Sequence, residues 1–442
     1  MASVLPSAPP GSAVISSKRR SRRGAQRLAG KQPDVKHIGV SQTVIDRLDL
    51  MSLHQELLET FSTFDVQGGM RRKGQRGSFA SKFNHVPIAK GIVNRTNSCF
   101  MNAMLQAIIF TPPLAQLIIS ASDSELCPTL SALGKWMLSY WTKPANQSIS
   151  PPQLSVAQSA NEGVASTYLL LARMNGYAQE DALEFLQHLL DTINTELCSL
   201  EKHYCNRAAI DSGDEKGWTF VHGRERRSLR EEKTGPHSIL LDAVFGGTIQ
   251  SHLKGKSRVR SHASVVLDRF FVLQVDVGFN AECTLEEALE RTLQTEKVYD
   301  DSRAKDLVKT MKLHQLPLVL FAQLRRWAVT AEGELVKLDN IVRFGKTLVL
   351  PKSICSDETL SGTARTYQLV AFVAHRGSAT GCGHYVTYIV NASLPENARS
   401  NSLVTGGEEV LTLCNDVRIS HVTMREAIEG EAAYLLVYQR KT

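Results

Sequence analysis

Three segments of this 442-residue chain combine residue types that could perform nucleophilic chemistry. In the first, Gly91 to Gln106, Cys99 follows a polar loop and opens an apolar helix. Unpaired backbone N–H groups and the helix dipole favour an anion at such a terminus, so a thiol placed there forms thiolate more readily. Asn94, in the same loop, could turn its amide toward a developing oxyanion, with the Cys99 backbone N–H as second donor. A lone cysteine before a helix is otherwise a small buried hydrophobe. A thiolate also needs a base, and the chain has thirteen histidines. His384 stands out, because a Gly-rich stretch with Gly381 and Gly383 leads into it as the first residue of an apolar strand. Those glycines permit the close backbone approach that a substrate tail beside the imidazole requires. Third, Leu413 to Ser420 contains Asn415-Asp416, either of which could accept a hydrogen bond from the imidazole and fix its tautomer. Taken alone, an Asn-Asp pair is a turn signal.

Taken together and in order, these segments closely resemble the ubiquitin-specific protease family (peptidase C19, the ubiquitin carboxyl-terminal hydrolases). The Cys99 segment resembles the family's Cys box, His375-Arg-Gly through Gly-His-Tyr-Val-Thr-Tyr388 its His box, and Asn415-Asp416 its Asn/Asp-Asp element. Further blocks match at Ala178 to Leu186, Leu320 to Trp327 and Ala433 to Arg440, so the likeness covers about residues 86–441. Within the family, Gly217 to Arg230 and Val244 to Ser251 are similar to the ubiquitin carboxyl-terminal hydrolase 10-like subgroup.

The resemblance implies an α+β, papain-like cysteine protease fold with thumb, palm and β-rich fingers that cradle ubiquitin. Cys99 would attack the carbonyl of ubiquitin's C-terminal glycine, His384 would take the thiol proton, and Asn415 would orient His384, with Asp416 sharing the task. Asp181 and Glu184, three apart and so on one helical face, suit the arginine-containing tail of ubiquitin. Gln179, Gly383 and Tyr385 are further candidate contacts in the tail channel. The implied partners are ubiquitin and ubiquitinated proteins, with a regulatory protein partner through the N-terminal extension.

This chain departs from the family pattern at Thr96, where Gly is usual and positive φ would strain Thr. It also carries Ser98, Phe100 and Cys414 where other residues are common, but no catalytic functional group is lost. Two other readings stay open: a catalytically weak or inactive ubiquitin-binding adaptor, and a protease for a ubiquitin-like modifier.

The elements that must position these residues follow from periodicity. Ser98–Phe110 reads as an apolar helix stopped by Pro112 and Pro113, and Asp181–Leu197 as an amphipathic helix. Strands are expected at Ala243–Leu253, Ser264–Asp276, Leu318–Leu324, Tyr367–Ala374, Tyr385–Val390 and Tyr434–Tyr438. A Thr284/Glu287 capping box opens a helix over Ala288–Leu293. Helices first and strands later is an α+β arrangement. The thumb is expected over about 91–235 and the fingers and palm over about 236–441.

The eight cysteines are scattered singly and include no Cys-x-x-Cys pair, so the fingers, around 245–315, are expected to hold by strand pairing without metal or cofactor. The chain reads as reduced and cytoplasmic, and no apolar run suits a membrane span. Residues 1–85 read as a mostly disordered basic extension with a short helix near 43–60. Residues 1–37 hold eight Lys/Arg and one acid, which accounts for the whole net charge of +7. The remainder is neutral and gives no basis for specific nucleic-acid binding, while Lys18–Arg23 suits nuclear entry.

Overall fold

In a computed structural model the chain is described over residues 88–441, except 122–125, 145, 153, 155–178, 206–217, 222–226, 232–236, 256–263, 301–304, 331, 358–360, 380–381 and 391–409. The N-terminal extension, its short helix and Ala178 lie outside the described residues.

Five helices come before most of the strands: α1 (Cys99–Ile109), α2 (Pro112–Ser120), α3 (Pro128–Thr142), α4 (Ala182–Cys205) and α5 (Ile239–Phe245). Every residue of α1 is buried, so this helix runs through the core. Pro112 and Pro113 do not simply stop it. They occupy the first turn of α2, where a missing N–H costs nothing, and the two helices meet at 92°. Among the described residues no single helix is long and apolar enough to cross a membrane.

Helix α4 also organises its neighbours through two buried glutamates. Glu196 accepts from the backbone N–H groups of Thr129 (2.7 Å) and Leu130 (3.0 Å) at the start of α3. Glu201 accepts from the Ser238 hydroxyl (2.7 Å) and the Leu240 N–H (3.2 Å) at the start of α5. Each carboxylate thus satisfies orphan donors at another helix's N-terminus. Helix α5 takes up Ala243–Phe245, which the sequence pattern assigned to a strand. The Ser238 hydroxyl caps it, and apolar periodicity in so short a run does not separate helix from strand.

The strands follow as β1 (Trp218–Val221), β2 (Arg227–Glu231), β3 (Gly247–Gly255), β4 (Ser264–Phe270), β5 (Val272–Asp276), β6 (Glu282–Thr284), β7 (Glu296–Asp300), β8 (Lys305–Gln315) and β9 (Val319–Arg325). After them come β10 (Trp327–Val329), β11 (Leu335–Lys337), β12 (Ile341–Arg343), β13 (Thr347–Val349), β14 (Thr366–Ala379), β15 (Cys382–Val390), β16 (Val410–Asn415), β17 (Arg418–Thr423) and β18 (Ala433–Arg440). Two further helices, α6 (Leu285–Thr292) and α7 (Met424–Gly430), are each opened by a Thr/Glu capping box, the first being the expected Thr284/Glu287 pair.

One sheet has the order β1-β2-β4-β3-β8-β7. It holds most of the expected fingers, together with β1 and β2 from the stretch expected as thumb. A second, larger sheet runs β17-β16-β15-β14-β18-β9-β5, with β13 on β14, and β10-β11 and β12-β6 form two small pairs of their own. The expected single strand Ser264–Asp276 therefore breaks into β4 and β5, which enter different sheets.

The central strands of the second sheet are buried on both faces. Val319 and Phe321 of β9, and Leu435 and Val437 of β18, join the cluster containing α1 to α5. Leu320, Ala322, Leu436 and Tyr438 join a second cluster with α6 and α7. Alternation along a strand delivers successive side chains to opposite faces, so burial on both reads as a continuous apolar run.

Candidate active site

Helix α1 starts at the thiol. Ahead of it, the Ser98 N–H and hydroxyl donate to Asn94 Oδ1 at 3.1 and 3.0 Å, folding the polar loop back onto the helix entrance. Cys99 itself is buried, 4% exposed. Packing of Phe100 edge-on to Phe185 of α4, 5.8 Å between centroids, fixes the helix behind it.

His384 lies two residues into β15, opposite Arg376 of β14. The glycine-rich stretch is thus largely strand, in a hairpin with an irregularity between Arg376 and Ala379. Strand β16 pairs with β15, and its last residue, Asn415, reaches His384 with Oδ1 2.7 Å from Nε2. That leaves Nδ1 for the thiol. The hydrogen bond with Cys99 above all, with Asn415 and the Cys99 and Asp416 charges adding, pushes His384 up to about 9, although burial acts the other way.

Asp416 is 3.9 Å from the imidazole, so Asn415 is the residue in hydrogen-bond contact. Asp416 has φ 48, the single positive φ of a non-glycine among the described residues. Thr96, exposed and outside the positive-φ region, therefore carries none of the strain expected of it. Short polar side chains tolerate the left-handed region best, and the Asp416 conformation is held from several sides. Its Oδ2 accepts from Asn94 Nδ2 (3.0 Å), its Oδ1 from Asn102 Nδ2 (2.8 Å), and its backbone carbonyl from the Ile92 N–H (2.9 Å). Gly91 makes this approach feasible, because a Cβ there would lie 2.4 Å from the Val417 carbonyl oxygen. Cys414, the unusual neighbour of Asn415, is a core side chain whose thiol burial pushes up.

Asp181 does not share a helical face with Glu184; it precedes α4 and caps it. Its Oδ1 accepts from the Leu183 N–H (2.7 Å) and the Glu184 N–H (3.2 Å). The Tyr434 hydroxyl reaches it at 2.7 Å and the Tyr385 hydroxyl at 3.1 Å. Burial first, then the Asp181 charge, raises both phenols, so they stay protonated donors. Glu184 is the open carboxylate, 56% exposed with His188 Nε2 at 3.8 Å. Gln179 Nε2 donates to the Gly383 carbonyl at 2.6 Å, joining the segment before α4 to the residue before His384.

The geometry adds Asn102, Tyr434 and His375 to the expected set. Asn102 and Tyr434 stand inside the Cys box and the closing-strand motif, but only their distant partners reveal what they hold.

A thiol at a core helix's N-terminus, facing an Asn-oriented imidazole on a sheet, is the arrangement of a papain-like cysteine peptidase. The chain belongs to the ubiquitin carboxyl-terminal hydrolase family, whose pattern matches residues 90–438. Among curated relatives, ubiquitin carboxyl-terminal hydrolase 10 of Xenopus tropicalis is 26% identical over 410 residues, covering 81% of this chain and 49% of the relative. Ubiquitin carboxyl-terminal hydrolase 24 of Arabidopsis thaliana is 28% identical over 367 residues, covering 74% of this chain and 64% of the relative. The chain thus spans about half the length of the hydrolase 10 relatives it matches. Among solved structures, the SAGA Ubp8/Sgf11/Sus1/Sgf73 DUB module bound to ubiquitin aldehyde shares the fold. Its TM-score is 0.53 at 20% identity, over 80% of this chain and 70% of that one.

Proposed function

We propose that this protein is a deubiquitinating thiol isopeptidase, cleaving the bond after ubiquitin's C-terminal glycine on ubiquitinated proteins. The observation that carries the proposal is His384, hydrogen-bonded to Cys99 and held by Asn415 at 2.7 Å. That hydrogen bond lets His384 take the thiol proton, and with the imidazole raised to about 9 it holds that proton as imidazolium during attack. The Cys99 sulfur attacks the glycine carbonyl carbon, and the oxyanion takes donors from the Cys99 backbone N–H and the Asn94 amide. Collapse breaks the C–N bond, and His384 gives its proton to the leaving amine. Neutral His384 then deprotonates water, which attacks the thioester carbonyl; the C–S bond breaks, the ubiquitin carboxylate leaves, and Cys99 recovers its proton from His384.

Asn415 orients the imidazole, while Asp416 aligns the Asn94 amide and adds negative charge. Glu184 offers the tail an exposed carboxylate for a basic side chain. Asp181 acts through the Tyr385 ring and α4, and Gln179 and Gly383 line the path. A regulatory protein partner for the N-terminal extension, and cytoplasmic residence with nuclear access through Lys18–Arg23, belong to the same proposal.

The test uses ubiquitin with an electrophilic C-terminus, a ubiquitin-like counterpart and a Cys99→Ala control. Wild type is expected to form the ubiquitin adduct and the Ala variant none. Binding without adduct formation would refute the enzyme, and reaction with the ubiquitin-like probe alone would refute the substrate.

A further inference from the structure

Lys337 is a cation whose side chain is only 5% exposed, and its donors converge on one place. From the end of β11, Nζ donates to the His375 carbonyl (3.2 Å) and the Gly377 carbonyl, and pairs with Asp339 Oδ1 at 3.0 Å. Strands β10 and β11 form a hairpin of their own, whereas His375 and Gly377 belong to β14. Lys337 thus ties that hairpin to the end of β14 that turns toward His384.

The backbone there is tightly packed. Gly377 has φ 126, and a Cβ on it would lie 2.9 Å from the Gly383 Cα. Gly383 lies against the His375 ring: its Cβ would sit 2.2 Å from His375 Nε2 and 2.6 Å from the Arg376 carbonyl oxygen. His375 is 4% exposed and stands between Tyr385 (4.7 Å between centroids) and Trp327 of β10 (6.2 Å). Burial first, then Lys337, holds its imidazole below the ordinary value, so it remains a neutral packing element beside His384. A shift at 375 or 377 therefore reaches Gly383 and Tyr385 directly, because close-packed groups cannot move independently.

We propose that Lys337 is a positioning residue for the tail channel. By holding the carbonyls at 375 and 377 to the β10–β11 hairpin, it presses Gly383 and Tyr385 onto His375 and fixes the wall beside which ubiquitin's C-terminus lies. This rests on the ubiquitin reading above, so the test has one arm that requires no ubiquitin.

Lys337→Met keeps the stem and removes the donors, and Lys337→Arg restores a cation that can bridge two carbonyls. In the full chain, Lys337→Met is expected to raise KM for a ubiquitin C-terminal amide about tenfold, as for a lost charge-assisted hydrogen bond. The value of kcat should stay within about twofold, and Lys337→Arg should recover most of the loss. Alkylation of Cys99 by iodoacetamide should keep its rate and pH profile. Independently, hydrogen exchange should accelerate at the amides of 377 and 382–386 in Lys337→Met. Unchanged exchange there overturns the clamp whatever the kinetics show. Faster exchange with unchanged KM overturns the tail-channel role, as does a parallel fall in kcat, alkylation and thermal stability. If wild type rejects ubiquitin while exchange still accelerates, the substrate reading falls and the clamp stands.

Discussion

In the proposed reaction His384 is the acid and base, and three groups favour its charged form: Cys99, Asn415 at 2.7 Å and the Asp416 carboxylate at 3.9 Å. Its raised value makes the expected pH dependence explicit. Loss of the imidazolium removes the acid that protonates the leaving amine, so kcat/KM is expected to fall as pH rises through about 9. Removing one favourable partner in Asn415→Ala should move that alkaline limb downward. A pH–rate profile whose limb stays in place in the variant would separate Asn415 from the imidazole. The linked effect on stability has the same sign. The contribution is fully present below the ordinary value of 6.5 and is lost as pH rises through about 9.

At the scale of elements, α4 carries the proposed tail contact Glu184 and is a scaffold for other helices. Its N-terminus is capped by Asp181, and Glu196 and Glu201 bind the N-termini of α3 and α5. Glu196 is 1% exposed, so Glu196→Ala strands the Thr129 and Leu130 N–H groups in the interior. The expected cost is about 3 kcal/mol, the upper range for buried donors left without an acceptor. Glu196→Gln keeps one acceptor oxygen and should cost about half as much. Urea denaturation of both variants measures this. Because the change lies away from Cys99, kcat/KM of the folded fraction should stay near wild type.

The whole described molecule is organised by a sheet with a different task on each face. Phe185 belongs to the face that carries α1, and its ring braces Phe100. Phe372 lies on the opposite face, stacked on Tyr388 at 4.5 Å and edge-on to Phe344 at 5.1 Å. Truncating either to Leu should cost about 1–2 kcal/mol, since both are fully buried. The two variants should differ in function. Phe185→Leu loosens the seat of the nucleophile's helix and should slow adduct formation with the ubiquitin probe, whereas Phe372→Leu should spare the rate at temperatures where both are folded. Equal probe rates would mean that the two faces are not divided in this way.

From the sequence came the reacting groups that we propose, and the local signals. A thiol at a helix start, a histidine after glycines and an Asn-Asp turn pointed to those groups, and the family resemblance ordered them. The Thr284/Glu287 box was legible because a capping box is complete within four residues. Short apolar runs were not: Ala243–Phe245 became helix. Pro112-Pro113 follow the end of α1 as expected, but they also begin α2. Nor could the sequence choose between Asn415 and Asp416, or show that Asp181 receives the Tyr385 and Tyr434 hydroxyls. Those roles depend on partners 204 and 253 residues away for Asp181, and 314 and 322 residues away for Asp416. Local patterns encode dihedral preference and capping, but no local pattern states which strand ends lie together. Sheet register and the packing of α1 against β15 and β16 settle that, and they decided which carboxylates are consumed in holding the site and which one, Glu184, faces solvent.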